Sequence, residues 1–248
     1  MKLGTALTIA LILMVFGGCT PPGDNFALRK PDTQPVLPQK NSADLTDSAA
    51  SSDPESCLDP AASEIVKSYG GTIKHYAEIY GFDWRLILAV IKQESSFRRH
   101  AESYKGAAGL MQIMPVTGEE VARILDIQNI NHPRSNIRGG IFYLRQLYGL
   151  FGHAEEGDRI KLSLAAYNAG IGRVQDAQEL AGYLKDDPQR WQSVKDALPL
   201  LSKRYYTLHR DVWQQEKPKS GWFGNARETV AYVDAIMNYY DEYRLLLD

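Results

Sequence analysis

Apolar residues recur at intervals of three and four along most of the chain after residue 60. Trp84, Ile87, Leu88 and Ile91 form one stripe. Val121, Ile124 and Leu125 form a second, and Ile141, Leu144, Leu147 and Tyr148 a third. A fourth runs through Val230, Val233, Ile236, Met237 and Tyr240. This period predicts amphipathic helices. Start and stop signals accompany it. Asp83 precedes Trp84, Thr117-Gly-Glu-Glu120 and Asn225-Ala-Arg-Glu228 have the spacing of a capping box, and Asp158 precedes Arg159. Gly170 is placed to end a helix over Leu162–Asn168. No alternating run is long enough for a convincing strand, although a loop has room for a short hairpin. The expected fold class is all-α.

The first 60 residues follow another pattern. Met1–Cys19 has one lysine, an apolar stretch from Ala6 to Phe16, and then Gly17-Gly18-Cys19. That stretch is too short to span a bilayer comfortably. Small residues before a cysteine resemble a bacterial lipobox, with cleavage after residue 18 and acylation of Cys19. Thr20, rather than aspartate, follows the cysteine. By resemblance to Gram-negative lipoproteins, this favours the outer membrane. A plainly cleaved signal peptide or a short retained anchor are the alternatives.

From 19 to 60 the chain carries more than half of its 12 prolines, and all 14 tyrosines come later. Such a segment buries too little apolar surface to offset its ordering entropy. It reads as a tether with an end-to-end distance of about 35 Å. The expected organisation is therefore a signal peptide over 1–18, an acylated linker over 19–60, and one domain over 61–248. Of the 2 cysteines, Cys57 has no intramolecular partner once Cys19 is acylated. It is a harmless linker thiol or an intermolecular one.

Composition narrows the picture modestly. With 248 residues and 44% hydrophobic content there is enough material for one ordinary core. A net charge of −2 and no basic run give nothing that asks for nucleic acid. The 5 histidines show no ligand spacing and no cysteine cluster, so no metal or other cofactor is expected.

The candidate chemistry lies at the end of the first stripe. On a helical wheel with Trp84 at zero, Glu94 falls at about 280°, next to Ile87 at about 300°. Glu94 therefore sits at the edge of the buried face, in what reads as the last turn. Partial burial and the negative end of the helix dipole both disfavour the carboxylate form. A carboxylic acid still protonated near neutral pH suits general-acid catalysis. The plain alternative is a solvated side chain, or an ion pair with Arg98 or Arg99.

Three further segments stand in order behind it: Gly106-Ala-Ala-Gly-Leu-Met-Gln-Ile-Met-Pro115, Ala165-Ala-Tyr-Asn-Ala-Gly170 and Glu228-Thr-Val-Ala-Tyr-Val233. With Glu94-Ser-Ser-Phe97 they resemble the family 1 lytic transglycosylases, the soluble-lytic-transglycosylase type, over roughly residues 65–245. The resemblance implies a goose-type, lysozyme-like helical domain with a groove for glycan strands of peptidoglycan. It implies cleavage between N-acetylmuramic acid (MurNAc) and N-acetylglucosamine (GlcNAc), leaving 1,6-anhydro ends, with one glutamate as acid and then base.

Carried across residue by residue, Glu94 takes the place of the catalytic acid. Ser103 falls near the muramoyl ring, and Met111 and Gln112 match a groove-lining pair. Tyr167 matches the tyrosine that holds the acid, with Asn168 beside it, and Tyr232 is the late tyrosine of the final motif. Each also has an ordinary role open to it: core aromatics for the tyrosines, core filling for Met111, a turn for Ser103. No second carboxylate stands out; Asp83 opens the Glu94 helix about 16 Å away along its axis. The segment 178–211 fits no motif. The rival readings are a hydrolytic muramidase on the same fold and a lipoprotein that binds peptidoglycan without cutting it.

Overall fold

The computed structural model describes residues 58–247. Cys19, Cys57 and the expected signal peptide lie outside them. Nine helices account for most of the described residues: α1 (Pro60–Tyr80), α2 (Trp84–Ser95), α3 (Pro115–Leu125), α4 (Pro133–Leu150), α5 (Glu156–Ala169), α6 (Ile171–Tyr183), α7 (Trp191–Ala197), α8 (Tyr206–Trp213) and α9 (Ala226–Leu246). Two short 3₁₀ turns, Leu198–Leu201 and Lys203–Tyr205, lie between α7 and α8. The only extended pairing among the described residues is a pair of isolated bridges, Glu102 with Ala108 and Ala108 with Ile113. This is the short hairpin for which the sequence left room.

The local chemistry of the ends explains where the helices start and stop. Asp59 caps α1 by accepting from the Ala62 amide at 2.9 Å, and Pro60 supplies a preset first residue. Asp83 caps α2 as expected, accepting from the Arg85 amide at 2.9 Å. Gly170, at φ 91°, separates α5 from α6.

Three expected caps work differently. Thr117 does not open α3, because Pro115 already occupies its first turn and Met114 is the cap. Asn225 does precede α9, but its side-chain amide donates to the Glu228 carboxylate at 2.9 Å, and its side chain accepts from no backbone amide of the first turn. Asp158 lies inside α5, and its carboxylate accepts from the Trp191 amide at 3.0 Å, at the start of α7.

Helix α2 is the centre of the domain. Every residue from Leu86 to Ile91 is buried, so this segment is enclosed on all sides and has no solvent face. The long C-terminal helix α9 packs along α2, and α1 also lies against it. Helix α4 joins α1 to α5, and α5 in turn contacts α6 and α9. The segment without a motif folds into the end of α6, α7, the 3₁₀ turns and most of α8. Trp191 sinks into the core there.

Candidate active site

The last turn of α2 carries Glu94, and the backbone then bends sharply. Ser95 closes the turn by donating from its hydroxyl to the Ile91 carbonyl at 3.0 Å. Ser96 and Phe97 follow with φ of 49° and 65°, two left-handed residues in succession without a glycine. An aromatic residue in that region is strained, and burial of the Phe97 ring helps to hold it there. The bend ends the helix at Glu94-Ser95 and sends the chain into the loop that forms one side of the site.

Glu94 is half-buried: protein crowds most of the side chain, and part of its surface stays open. Burial pushes its carboxyl up to about 7, while a hydrogen bond from Tyr232 pulls in the opposite direction. That bond, from the Tyr232 hydroxyl to Glu94 Oε1, measures 2.5 Å. No second carboxylate contributes to the shift. The arginines do not neutralise Glu94 either. Arg99 pairs with Glu64 at 2.5 Å, and Arg98 Nε donates to the Ser95 carbonyl at 3.0 Å.

Tyr167 was expected to hold the acid. It stands close enough to Glu94 for their charges to interact, but its hydroxyl donates to the Met111 carbonyl at 2.7 Å. Tyr232 makes the bond instead, because α9 lies along α2 and brings that hydroxyl to the carboxyl. Burial and the neighbouring Glu94 charge push both phenols well above their ordinary range. Both therefore remain protonated donors at neutral pH.

Met111 also departs from expectation. Its side chain is fully buried and packs on Gly140 of α4, where an added Cβ would come within 2.5 Å of the Met111 sulfur. The thioether is core filling, so it offers no surface to a sugar. The Met111 backbone is taken up as well, the carbonyl accepting from Tyr167 and the amide donating to Asn136. Gln112 is half-buried at φ 44°, and its Nε2 donates to the carbonyls of Ala101 and Gly109 at 2.9 Å each. Those donors brace the loop. Ser103 closes the adjacent turn, its hydroxyl accepting from the Ala107 amide at 2.9 Å. Asn168 is exposed, and its Oδ1 accepts from the Thr229 hydroxyl at 2.8 Å, tying α5 to α9.

The residue that sequence reading missed is Asn136. It is completely buried in α4, accepts from the Met111 amide at 2.8 Å and donates to the Ala108 carbonyl at 3.0 Å. Gly109 (φ 80°) makes room for it, since any Cβ there would lie 2.6 Å from the Asn136 amide group. A lone asparagine among Ile137, Gly139, Gly140 and Ile141 was the available signal: a polar group on an apolar helix face has to find a partner.

Residues 71–189 match the transglycosylase SLT domain. The chain belongs to that family. It is 41% identical over 172 residues to the membrane-bound lytic murein transglycosylase F of Desulfosudis oleivorans, a match covering 68% of this chain and 35% of that protein. The protein of the same name from Marinobacter nauticus is 39% identical over 177 residues, covering 70% and 32%. The chain thus spans about a third of the length of the curated relatives it matches.

Among solved structures, it resembles an inactive Glu-to-Gln mutant of the lytic transglycosylase Slt from Pseudomonas aeruginosa. The TM-score is 0.51 at 28% identity, over 77% of this chain and 27% of that one. The 70 kDa soluble lytic transglycosylase of Escherichia coli shares the fold, with a TM-score of 0.50 at 24% identity over 74% and 26%. The SLT domain therefore has the helical, lysozyme-like architecture that its sequence implied.

Proposed function

We propose that this SLT domain is a lytic transglycosylase that cuts the MurNAc-β-1,4-GlcNAc bond of peptidoglycan and leaves a 1,6-anhydro-MurNAc end. The observation that carries the reading is the environment of Glu94: half-buried, pushed up to about 7, and hydrogen-bonded by Tyr232. Two-carboxylate glycosidases divide the acid and the nucleophile or base between two groups. Here one group does both jobs in sequence.

Protonated Glu94 donates its proton to the glycosidic oxygen, and the C1–O bond breaks with positive charge developing at C1. The anion then left on Glu94 keeps the Tyr232 hydrogen bond, which favours the charged form. It takes a proton from the C6 hydroxyl of the same muramic acid as that oxygen bonds to C1. No water is consumed, and Glu94 ends protonated again. The nucleophile is tethered to the electrophile, so its effective concentration is high. Among the other expected contacts, Ser103, Gln112 and Asn168 remain the candidates to meet the strand, and Tyr167 is held behind them on the Met111 carbonyl.

The test is to incubate the full chain with purified peptidoglycan and read the soluble products by mass spectrometry. Anhydro ends, lighter by one water than reducing ends, are expected. Reducing ends would replace this reading with a hydrolytic muramidase, and an absence of products with a binding lipoprotein.

We further infer that Cys19 is acylated and that residues 19–60 tether the domain over 61–248 to the outer membrane, facing the wall. The lipobox-like Gly17-Gly18-Cys19 supports this. Labelling with a radioactive fatty acid should mark the wild-type chain and not Cys19→Ser.

A further inference from the structure

Two buried serines turn to their own helices. Ser95 donates to the Ile91 carbonyl at 3.0 Å and Ser163 to the Arg159 carbonyl at 2.6 Å, each four residues back. That is a common solution for a hydroxyl inside a helix, because the acceptor is always at hand. Thr229 of α9 takes another. It is 1% exposed, and its hydroxyl crosses to α5, donating to Asn168 Oδ1 at 2.8 Å. The carbonyl four residues back, that of Asn225, is left to the Thr229 amide at 3.1 Å.

The place of this bond gives it a role beyond satisfying a hydroxyl. Thr229, Tyr232, Val233 and Ile236 are all buried and share one face of α9. Thr229 stands three residues before Tyr232, about 4.5 Å along the axis. On the other side, Asn168 directly follows Tyr167 and lies two residues before Gly170, where α5 stops. The bond therefore joins the first turn of α9 to the last turn of α5. Those helices carry the two tyrosines at Glu94, and both phenols are close enough to the carboxyl, and to each other, to interact electrostatically.

Other polar ties hold α9 further along. Asp234 pairs with Lys195 at 3.0 Å on the surface, and the Tyr240 hydroxyl donates to Asp83 at 3.1 Å. Upstream of Tyr232, the described residues show one hydrogen bond from an α9 side chain to another helix, and it is that of Thr229. Val233 and Ile236 press α9 on the core, but apolar burial is non-directional. A directional bond is what resists a slide of the helix along its axis. The bond from Tyr232 to Glu94, at 2.5 Å, is sensitive to such a slide, since hydrogen bonds weaken as the oxygens part and their angle opens.

We propose that Thr229 is a positioning residue for the chemistry at Glu94: by donating to Asn168 it fixes the start of α9 against the end of α5, and so sets the reach of the Tyr232 hydroxyl to the acid. The proposal rests on the transglycosylase reading above for its kinetic consequence and on geometry alone for its effect on the Tyr232–Glu94 bond.

The experiment uses the full chain with 13C-labelled glutamate carboxyls. The Glu94 resonance is identified by its loss in Glu94→Gln and titrated by NMR, alongside kcat, KM and the pH profile on glycan strands. Thr229→Val keeps the branched shape and removes the donor. Its Glu94 resonance should titrate higher than in wild type by roughly half a pH unit, because the bond that favours the charged form is weakened. The alkaline limb of kcat/KM should follow, with kcat down roughly three- to tenfold and KM unchanged. Thr229→Ser, which keeps the donor, should restore all of these. In a Tyr232→Phe background Thr229→Val should change neither the titration nor kcat further, since the hydroxyl it positions is already gone. Asn168→Ala removes the acceptor from an exposed side chain, and its Glu94 titration decides the matter if Thr229→Val fails to fold.

A Thr229→Val protein that melts lower but titrates like wild type overturns the proposal and leaves the bond a simple strut. Equal losses with and without the Tyr232 hydroxyl overturn it as well. A wild type that releases no anhydro product overturns the catalytic reading, and the Glu94 titration still decides for or against Thr229.

Discussion

The hydroxyl of Tyr232 lies 2.5 Å from Oε1 of Glu94, and 138 residues of chain separate the two. The bond opposes the rise that burial imposes on the carboxyl. Removing it leaves burial unopposed, so Glu94 in Tyr232→Phe should hold its proton to a higher pH. The alkaline limb of kcat/KM reports that proton. The limb is expected to move upward from about 7, with kcat down roughly ten- to a hundredfold as the acid loses its orientation. A limb that stays in place or moves down would separate Tyr232 from the acid.

Glu94→Gln should abolish cleavage, by roughly a thousandfold or more, while the domain still folds. It should also change stability in a pH-dependent way. The folded carboxyl binds its proton more tightly than the unfolded one, about 7 against 4.5. The wild-type domain therefore has its full stability below about 4.5 and loses some as pH rises through 7. Glutamine has no proton to lose. The variant is expected to gain on wild type across that window, by about 3 kcal/mol at pH 8 and close to nothing at pH 4. Urea unfolding of both proteins at the two pH values measures the gain.

Asn136→Ala removes two hydrogen bonds from the 106–115 loop and strands the Met111 amide in the interior. A loss of about 2–4 kcal/mol is expected. Gly109→Ala should do comparable harm, by its φ of 80° and by pressing a methyl group on the Asn136 amide. The two lesions share that contact, so the double variant should lose clearly less than the sum. Strict additivity would argue that the Gly109–Asn136 contact is unimportant.

Met111→Leu tests the reassignment of that side chain. A buried, volume-conserving change is expected to cost less than about 1.5 kcal/mol and to leave KM for glycan strands unchanged. A several-fold rise in KM with stability intact would return Met111 to the groove.

The helices were legible because their apolar faces repeat, and α2 announced itself by Asp83 and its greasy run. Helix starts were less legible. Thr117 has the side chain of a cap, but Pro115 fixes φ two residues earlier and takes the first turn. Within the site, Glu94 was readable from its place on the wheel. The roles of the two tyrosines were not, since motif order says nothing about which hydroxyl reaches the acid. That depends on how α9 lies along α2, a packing relation across most of the domain. Met111 failed for a related reason. A methionine beside Gln112 looks the same in sequence whether it faces a groove or fills the space above Gly140.

The packing of α9 on α2 also has a temporal side. The acid is among the first parts of the domain to be synthesised, and its hydrogen-bond partner is among the last. A nascent or clipped chain that stops short of residue 226 carries Glu94 without Tyr232, and without the helix that covers α2. Contacts this distant in sequence form only once the whole chain is present. On the proposed reading, that order of assembly keeps the acid apart from its hydrogen-bond partner until the last helix is in place.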